Sequence, residues 1–379
     1  MPELADVFRR FAGNYLLAHG ALILPSHRRA IADIMACRTE ALGGDLWHCT
    51  TCGADVPVFH SCRNRHCPKC HGVQTKAWLE QRQAEMLPVP YFHVTITVPE
   101  QLRAALRRRQ RDGYGTLMRT GAQAIIDLAA DPKWVGGTVG VLTVLHTWSQ
   151  QLHHHPHIHC LVTGGGLSRD GLTWRAAADG FLFPTRALAK LVRGRFRDAF
   201  TKLCPDADLP RDTRKKSWVV HITPWGSGET AVLEYLARYA FRIAITNRRI
   251  QGIGDDTVSF RYKDREAGHH RTCTVSGHEF MRRFLQHVLP QGFHKVRTYG
   301  LWHSSRRAHL ANLRNVLMLS RPSPQPEPAP EPPPEPDTPA TARSDEPGIA
   351  DDVPPQCPHC RQRTLVLLRR QSPARPRGP

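Results

Sequence analysis

His157-Ile158-His159 is the first place where residue type and spacing suggest chemistry. In an extended chain, side chains alternate between faces, so His157, His159 and Leu161 share one face while Ile158, Cys160 and Val162 take the other. Two imidazoles side by side can hold one divalent cation, and an apolar Ile158 between them fixes the strand against a core. His153, His154 and His155 lie just upstream. A histidine-rich solvated loop is the plain alternative, so the pair alone does not decide.

Cysteines make a second constellation. Six of the eleven, Cys37, Cys49, Cys52, Cys62, Cys67 and Cys70, crowd into one segment. In a reducing compartment that pattern reads as metal binding rather than disulfides. Cys49-x2-Cys52 and Cys67-x2-Cys70 each present two thiolates, and two such turns complete one tetrahedral zinc site. Cys37, Cys62 and His66 are available for part of a second site, with His48 or His60 as a further ligand; the spacing leaves that second ion open. Arg63, Arg65, Lys69 and Lys76 surround the ligands and suit phosphate contact, or an ordinary solvated face. Near the C-terminus, Cys357-Pro358-His359-Cys360 supplies only two or three ligands and is a half-site or nothing.

A third feature is ETAVLEYLARYAFRI, a helical pattern over 229–243 with Tyr235 and Tyr239 one turn apart on one face. Two core aromatics on an amphipathic helix are the simple reading. Arg238 and Arg242 share this helix, and Lys263 follows in the next strand region. Taken with the histidines, the tyrosines suggest phosphoryl transfer: a cation orients a phosphodiester, a tyrosine oxygen displaces a 3′-hydroxyl, and a 5′-phosphotyrosine stores the bond energy. A second tyrosine allows a second strand to be cleaved while the first stays attached.

The whole chain is consistent with such a partner. Its formal charge is +19, from 52 Lys+Arg against 33 Asp+Glu, with a pI near 10, which favours a polyanion. No basic amphipathic helix or lipidation signal points to a membrane surface. With neither an apolar run of spanning length nor a signal-peptide layout, the expectation is a cytosolic, nucleoid-associated protein. Its oligomeric state is not legible.

The positioning elements read as follows. Helices over 3–19 and 25–36 lead into the cysteine segment and are expected to pack on it; a further helix covers 77–86. A strand at 91–98, helices at 100–111 and 114–130, and a strand at 138–147 precede the histidine strand. The last two strands are expected to form an antiparallel hairpin. Then come a short hairpin (168–183), a basic helix (185–202), a strand (217–223), the tyrosine helix, strands near 257–262 and 270–275, a helix (277–288), a short strand (295–299) and a terminal helix (303–315). Interleaved hairpins and helices predict an α+β fold, an antiparallel sheet flanked by helices and preceded by a small helical, cysteine-rich zinc-binding domain. The expected division is a zinc module (1–86), a catalytic domain (87–318), a disordered proline-rich acidic linker (319–356), and a CxxC and basic tail (357–379) carrying Arg369, Arg370, Arg375 and Arg377.

HTWSQ, HPHIHCLVTGGG, YLARYAFRIAITNRRI, YKDREAG and SCRNRHCPKC, in that arrangement over about residues 5–315, resemble the HUH transposases of rolling-circle insertion sequences, the insertion-sequence-ninety-one family. The resemblance implies a zinc-binding N-terminal domain followed by a domain that nicks and joins single-stranded DNA at the element's ends. It implies His157 and His159 as the HUH pair, Tyr235 and Tyr239 as the nucleophiles, and magnesium or manganese as the catalytic ion. Such a site recruits a third polar ligand. His146 and Gln150 both qualify, and His146 is preferred because imidazole is the stronger ligand. Two other readings compete: a replication initiator or relaxase-type nickase, and a non-catalytic zinc-dependent DNA-binding protein.

Overall fold

The computed structural model describes residues 2–70, 86–207, 209–240, 242–264, 267–319 and 356–373. The helix expected at 77–86 (its last residue apart), Lys76, nearly all of the linker, Arg375 and Arg377 lie outside the described residues.

A five-stranded antiparallel sheet carries the histidines. Its strands are β3 (Pro90–Thr97), β4 (Gly140–Trp148), β5 (His154–Thr163), β8 (Val219–Ser227) and β12 (Val296–Gly300), in the order β12-β4-β5-β3-β8. The expected hairpin of β4 with β5 is present, in a register that sets His146 opposite His157 and Val144 opposite His159. Alternation then sorts the side chains. Phe92, Val94 and Ile96 of β3 and Ile158, Cys160 and Val162 of β5 turn to one face, which is buried beneath α4 (Gln110–Ala130) and α5 (Thr185–Leu203). Helix α5 meets it with Leu188, Val192, Phe196 and Phe200, a stripe at four-residue spacing.

Gly121 of α4 sits directly over the histidine strand. A Cβ there would lie 2.6 Å from Ile158 Cδ1, so its absence lets the helix close on the residue between the two histidines. Ile158 is fully buried, a burial worth about 1.5–3 kcal/mol.

The opposite face carries Tyr91, His93, Leu142, Val144, His146, His157, His159 and Leu161. Helix α6 (Gly228–Tyr235), the π turn that continues it (Leu236–Ala240) and α8 (Arg307–Leu319) cover its apolar part. The fold is therefore α+β as expected, with helices on both faces of the sheet.

A second core lies beside the sheet. Helices α1 (Leu4–His19) and α2 (Pro25–Ala36) pack on Cys37, Cys67 and Cys70, and equally on the sheet β9 (Ile250–Ile253), β10 (Thr257–Lys263) and β11 (His270–Ser276) and on α7 (Gly277–Leu285). Phe8 meets Phe284 edge-on at 5.2 Å. The N-terminal helices thus share one core with residues far along the chain, across the boundary expected at 86. Between these elements the chain forms α3 (Arg103–Arg108) and a small hairpin of β6 (Gly165–Leu167) with β7 (Trp174–Ala176). That hairpin begins in the triglycine run, three residues earlier than expected.

A third, three-stranded sheet has the order β13-β1-β2, from β1 (Gly44–Cys49), β2 (Asp55–Phe59) and β13 (Leu365–Gln371). Here the expected division needs correcting. The segment 357–379 was expected to stand apart as a tail, but β13 pairs antiparallel with β1 along its whole length. Among the described residues no helix is long and apolar enough to cross a membrane.

Candidate functional site

Three imidazoles converge near the turn end of the β4–β5 hairpin. One nitrogen from each of His146, His157 and His159 lies within 4.8 Å of the others. The remaining nitrogens are committed, and that sets which ones stay free. His157 donates from Nδ1 to the His155 carbonyl at 2.7 Å, leaving Nε2 basic. His146 donates from Nε2 to the Tyr239 carbonyl at 2.7 Å, leaving Nδ1 basic. His159 Nδ1 lies 2.9 Å from His93 Nε2. With His159 donating, its own Nε2 remains available.

Burial, together with the neighbouring histidines, holds His146 and His159 well below the usual imidazole value. At neutral pH both are uncharged, the form that binds a cation. The donor set fits a divalent ion with open positions. Gln150, the other candidate ligand, lies exposed in the turn beyond β4, where its backbone carbonyl accepts from Arg249.

The two tyrosines fare differently. The ring of Tyr239 lies on His159 at 4.1 Å between centroids and on His93 at 4.7 Å, and it is only partly buried. Tyr235 is fully buried, its hydroxyl has no hydrogen-bond partner among the described residues, and burial pushes its phenol well above the ordinary value. The helix changes to π winding directly after Tyr235. A π turn advances by a smaller angle per residue than an α turn and so re-aims Tyr239, a device frequent at functional sites.

Pattern reading passed over three neighbours. His93 stands alone in β3, and only the pairing of β3 with β5 brings it to His159. Burial, then the charge of Arg238, pulls it down to about 4. Trp225 lies 5.3 Å from His93 and 5.8 Å from each tyrosine, and Arg238 stacks over its indole at 5.2 Å. Lys295 donates to the Arg242 carbonyl at 3.0 Å, and burial pulls its ammonium down to about 8. No motif marked any of the three.

The cysteines form two groups of four, and they are not the groups that spacing suggested. Cys67 and Cys70 join Cys37 and Cys62, whereas Cys49 and Cys52 join Cys357 and Cys360. The expected single site of Cys49, Cys52, Cys67 and Cys70 is therefore corrected. The two CxxC turns lie in different substructures, one on the α1–α2 core and one on the β1–β2–β13 sheet. His66 is not in either group; its Nε2 accepts from the Leu289 amide at 3.3 Å. Within the first group, Cys37 and Cys62 lie 3.4 and 3.5 Å from Cys70. Zinc–sulfur bonds of about 2.3 Å imply tetrahedron edges of about 3.8 Å, while a disulfide needs about 2.05 Å. These separations match thiolates around a metal.

Backbone strain is concentrated at the same cysteines. Among the described residues four non-glycine positions have positive φ, and three follow a cysteine directly: Arg38 (55°), Arg63 (53°) and Arg361 (60°). Each costs roughly 1–2 kcal/mol, a cost consistent with a ligand that holds the turn closed.

The basic residues expected at DNA divide likewise. Arg65 donates to the carbonyls of Phe293 and Pro290, clipping the cysteine segment to the body of the protein, and Lys69 pairs with Glu3 at 2.6 Å. Both are thus committed to structural contacts, because their side chains reach internal acceptors first. Arg63, Arg242 and Lys263 are exposed, and Arg238 is half-buried.

The chain matches two family models, one described as "Transposase zinc-binding domain" over residues 7–98 and one described as "Putative transposase" over residues 140–309. It is 40% identical over 387 aligned residues to "Putative transposase y4qJ" of Sinorhizobium fredii, covering 97% of this chain and 95% of that one. It is also 26% identical over 315 residues to the "Transposase for insertion sequence element IS801" of Pseudomonas savastanoi pv. phaseolicola, covering 78% and 75%. No solved structure matches it. The zinc-domain match spans six clustered cysteines and the transposase match spans the histidine strand and both tyrosines, so the chain belongs to the IS91 family of insertion-sequence transposases.

Proposed function

We propose that this transposase nicks and joins single-stranded DNA at the ends of its element through a 5′-phosphotyrosine intermediate on Tyr239. The observation that carries this is the Tyr239 ring lying 4.1 Å from the His159 ring, centroid to centroid, beside three converging imidazoles. His157 and His159, with His146 as the third, would hold a divalent ion. Magnesium or manganese suits a shell that phosphate oxygens complete, and such an ion supplies Lewis acidity toward the scissile phosphate.

The chain's own residues do the rest. Arg238, on the turn that bears Tyr239, Arg242, two residues past its end, and Lys295, which donates to the Arg242 carbonyl, offer positive charge to a phosphodiester. The Tyr239 oxygen bonds to phosphorus as the bond from phosphorus to the 3′-oxygen breaks. The phenol loses its proton, the 3′-oxygen gains one, and no electrons change hands beyond the bond exchange. A 3′-hydroxyl returning along the same path reverses the step and completes the transfer. Tyr235, one turn deeper, serves as the second nucleophile after α6 re-seats. Arg63 and Lys263 are proposed as outlying backbone contacts.

The test is covalency. Protein incubated with single-stranded DNA bearing an element end and magnesium should give an adduct that survives a denaturing gel and disappears with Tyr239→Phe. An adduct that persists in Tyr239→Phe moves the chemistry to another residue. Complete lack of an adduct with authentic ends leaves a non-catalytic DNA-binding protein. A relaxase-type nickase would form the adduct without joining two ends.

A further inference from the structure

We propose that Cys49, Cys52, Cys357 and Cys360 bind a zinc ion of their own, so that the C-terminal turn and strand β13 are clasped by metal onto the N-terminal module. This does not depend on the nicking reading. The matched zinc-binding domain ends at residue 98 and includes only two of the four ligands.

The two turns are built alike. In the first, the Cys49 amide donates to the Ala54 carbonyl at 2.9 Å and the Gly53 amide donates to the Cys49 carbonyl at 2.8 Å. In the second, the Cys357 amide donates to Gln362 at 2.8 Å and the Arg361 amide donates to Cys357 at 2.9 Å. The residue after the second cysteine is left-handed in both, Gly53 at 73° and Arg361 at 60°. Two CxxC turns of one geometry, 305 residues apart, thus face each other sulfur to sulfur. Cys49–Cys360 is 3.5 Å and Cys52–Cys357 is 3.7 Å, close to the edges of about 3.8 Å expected around zinc and far from disulfide length.

The surroundings agree. Among the described residues the apolar cluster beneath this sheet has only Cys49, Cys357 and Leu365 buried, with Trp47, Val56 and Cys360 around them. So small a core does not hold a distant segment unaided, and a structural metal is the usual remedy. The N-terminal module is also shaped for the incoming strand. A Cβ on Gly43, itself left-handed at 69°, would meet the Gln371 carbonyl at 2.4 Å. Four thiolates with no histidine or carboxylate select a soft or borderline cation, and zinc is the one that needs no redox partner.

Metal content of the full chain, purified reduced, tests this. Wild type should carry two zinc ions per chain. Cys357→Ser/Cys360→Ser and Cys49→Ser/Cys52→Ser should each carry one, while His157→Ala/His159→Ala should still carry two, which keeps this result separate from any failure of the nicking chemistry. Should the cysteine variants misfold, wild type suffices. Titrated with a competing chelator, its Cys49, Cys52, Cys357 and Cys360 should become alkylatable together, in one step with the loss of one zinc. Wild-type zinc content in Cys357→Ser/Cys360→Ser, alkylation of these four thiols unlinked to zinc, or a disulfide between Cys49 and Cys360 or Cys52 and Cys357 would overturn the proposal.

Discussion

The histidine group and the cysteine groups are both places where side chains gather to suit a cation, yet they are built on opposite plans. The cysteine groups are closed: four sulfurs face one point and every ligand is protein. At the histidines only three nitrogens converge, and beside them lies a partly exposed tyrosine ring, so an ion held there, as proposed, would have positions left for substrate oxygens. A closed thiolate set supplies folding energy, and an open imidazole set supplies a place to react. The chain keeps the two functions in separate substructures, so each should fail without the other.

The largest expected effect follows from that separation. His157→Ala/His159→Ala should lower DNA cleavage by on the order of 10³-fold or more while zinc content and DNA binding stay near wild type, as read by adduct yield, metal analysis and a filter-binding assay. Equal loss of binding and cleavage would mean that the histidines hold the fold together. Mild EDTA should act the same way: cleavage stops and returns with magnesium, whereas the zinc bound by thiolates survives. Loss of zinc at the same EDTA concentration would erase the contrast.

The tyrosines sharpen the comparison inside the open site. Tyr239→Phe should abolish the first adduct. Tyr235→Phe should leave it within a few-fold and should raise the unfolding free energy by about 1 kcal/mol, because it deletes a buried hydroxyl that has no partner among the described residues. A destabilised Tyr235→Phe would show that its hydroxyl finds a partner in solution.

A smaller effect is expected at His93. Replacing it with Phe keeps the ring packing but removes the hydrogen bond to His159 Nδ1, which should weaken magnesium affinity by about 10–100-fold with little change in maximal rate at saturating magnesium. His93 should also affect the pH dependence of stability. His93 titrates near 4 when folded against an ordinary 6.5, so its contribution is complete above 6.5 and is lost as pH falls through about 4. The unfolding free energy, read by urea titration, should therefore fall less between pH 7 and 4 in His93→Phe, by up to about 3 kcal/mol. An unchanged slope would assign the acid sensitivity elsewhere.

Local pattern carried much of this molecule. Alternation in HPHIHCLV was enough to put His157 and His159 on one face, because a strand's period is two whatever it packs against. The helix over 185–202 and the hairpin of β4 with β5 were legible for the same kind of reason. What escaped were the contacts made by pairing. His93 reaches His159 only through the β3–β5 register, and Lys295 enters through β12 at the sheet edge. The π turn that separates Tyr239 from Tyr235 was also hidden, since i and i+4 look equivalent until the winding is known.

The cysteines draw the line most clearly. Sequence by itself determined that thiolates in CxxC turns bind metal, since two sulfurs three residues apart can meet one ion with no help from the rest of the chain. Which turn faces which was decided only by tertiary structure. Cys49 and Cys52 lie within 21 residues of Cys67 and Cys70 along the chain, but they ride on β1, whose free edge is taken by β13. Joining distant segments costs only slowly more as the loop between them lengthens. A partner some 300 residues away can therefore displace a near one once a strand pairing has put it in place.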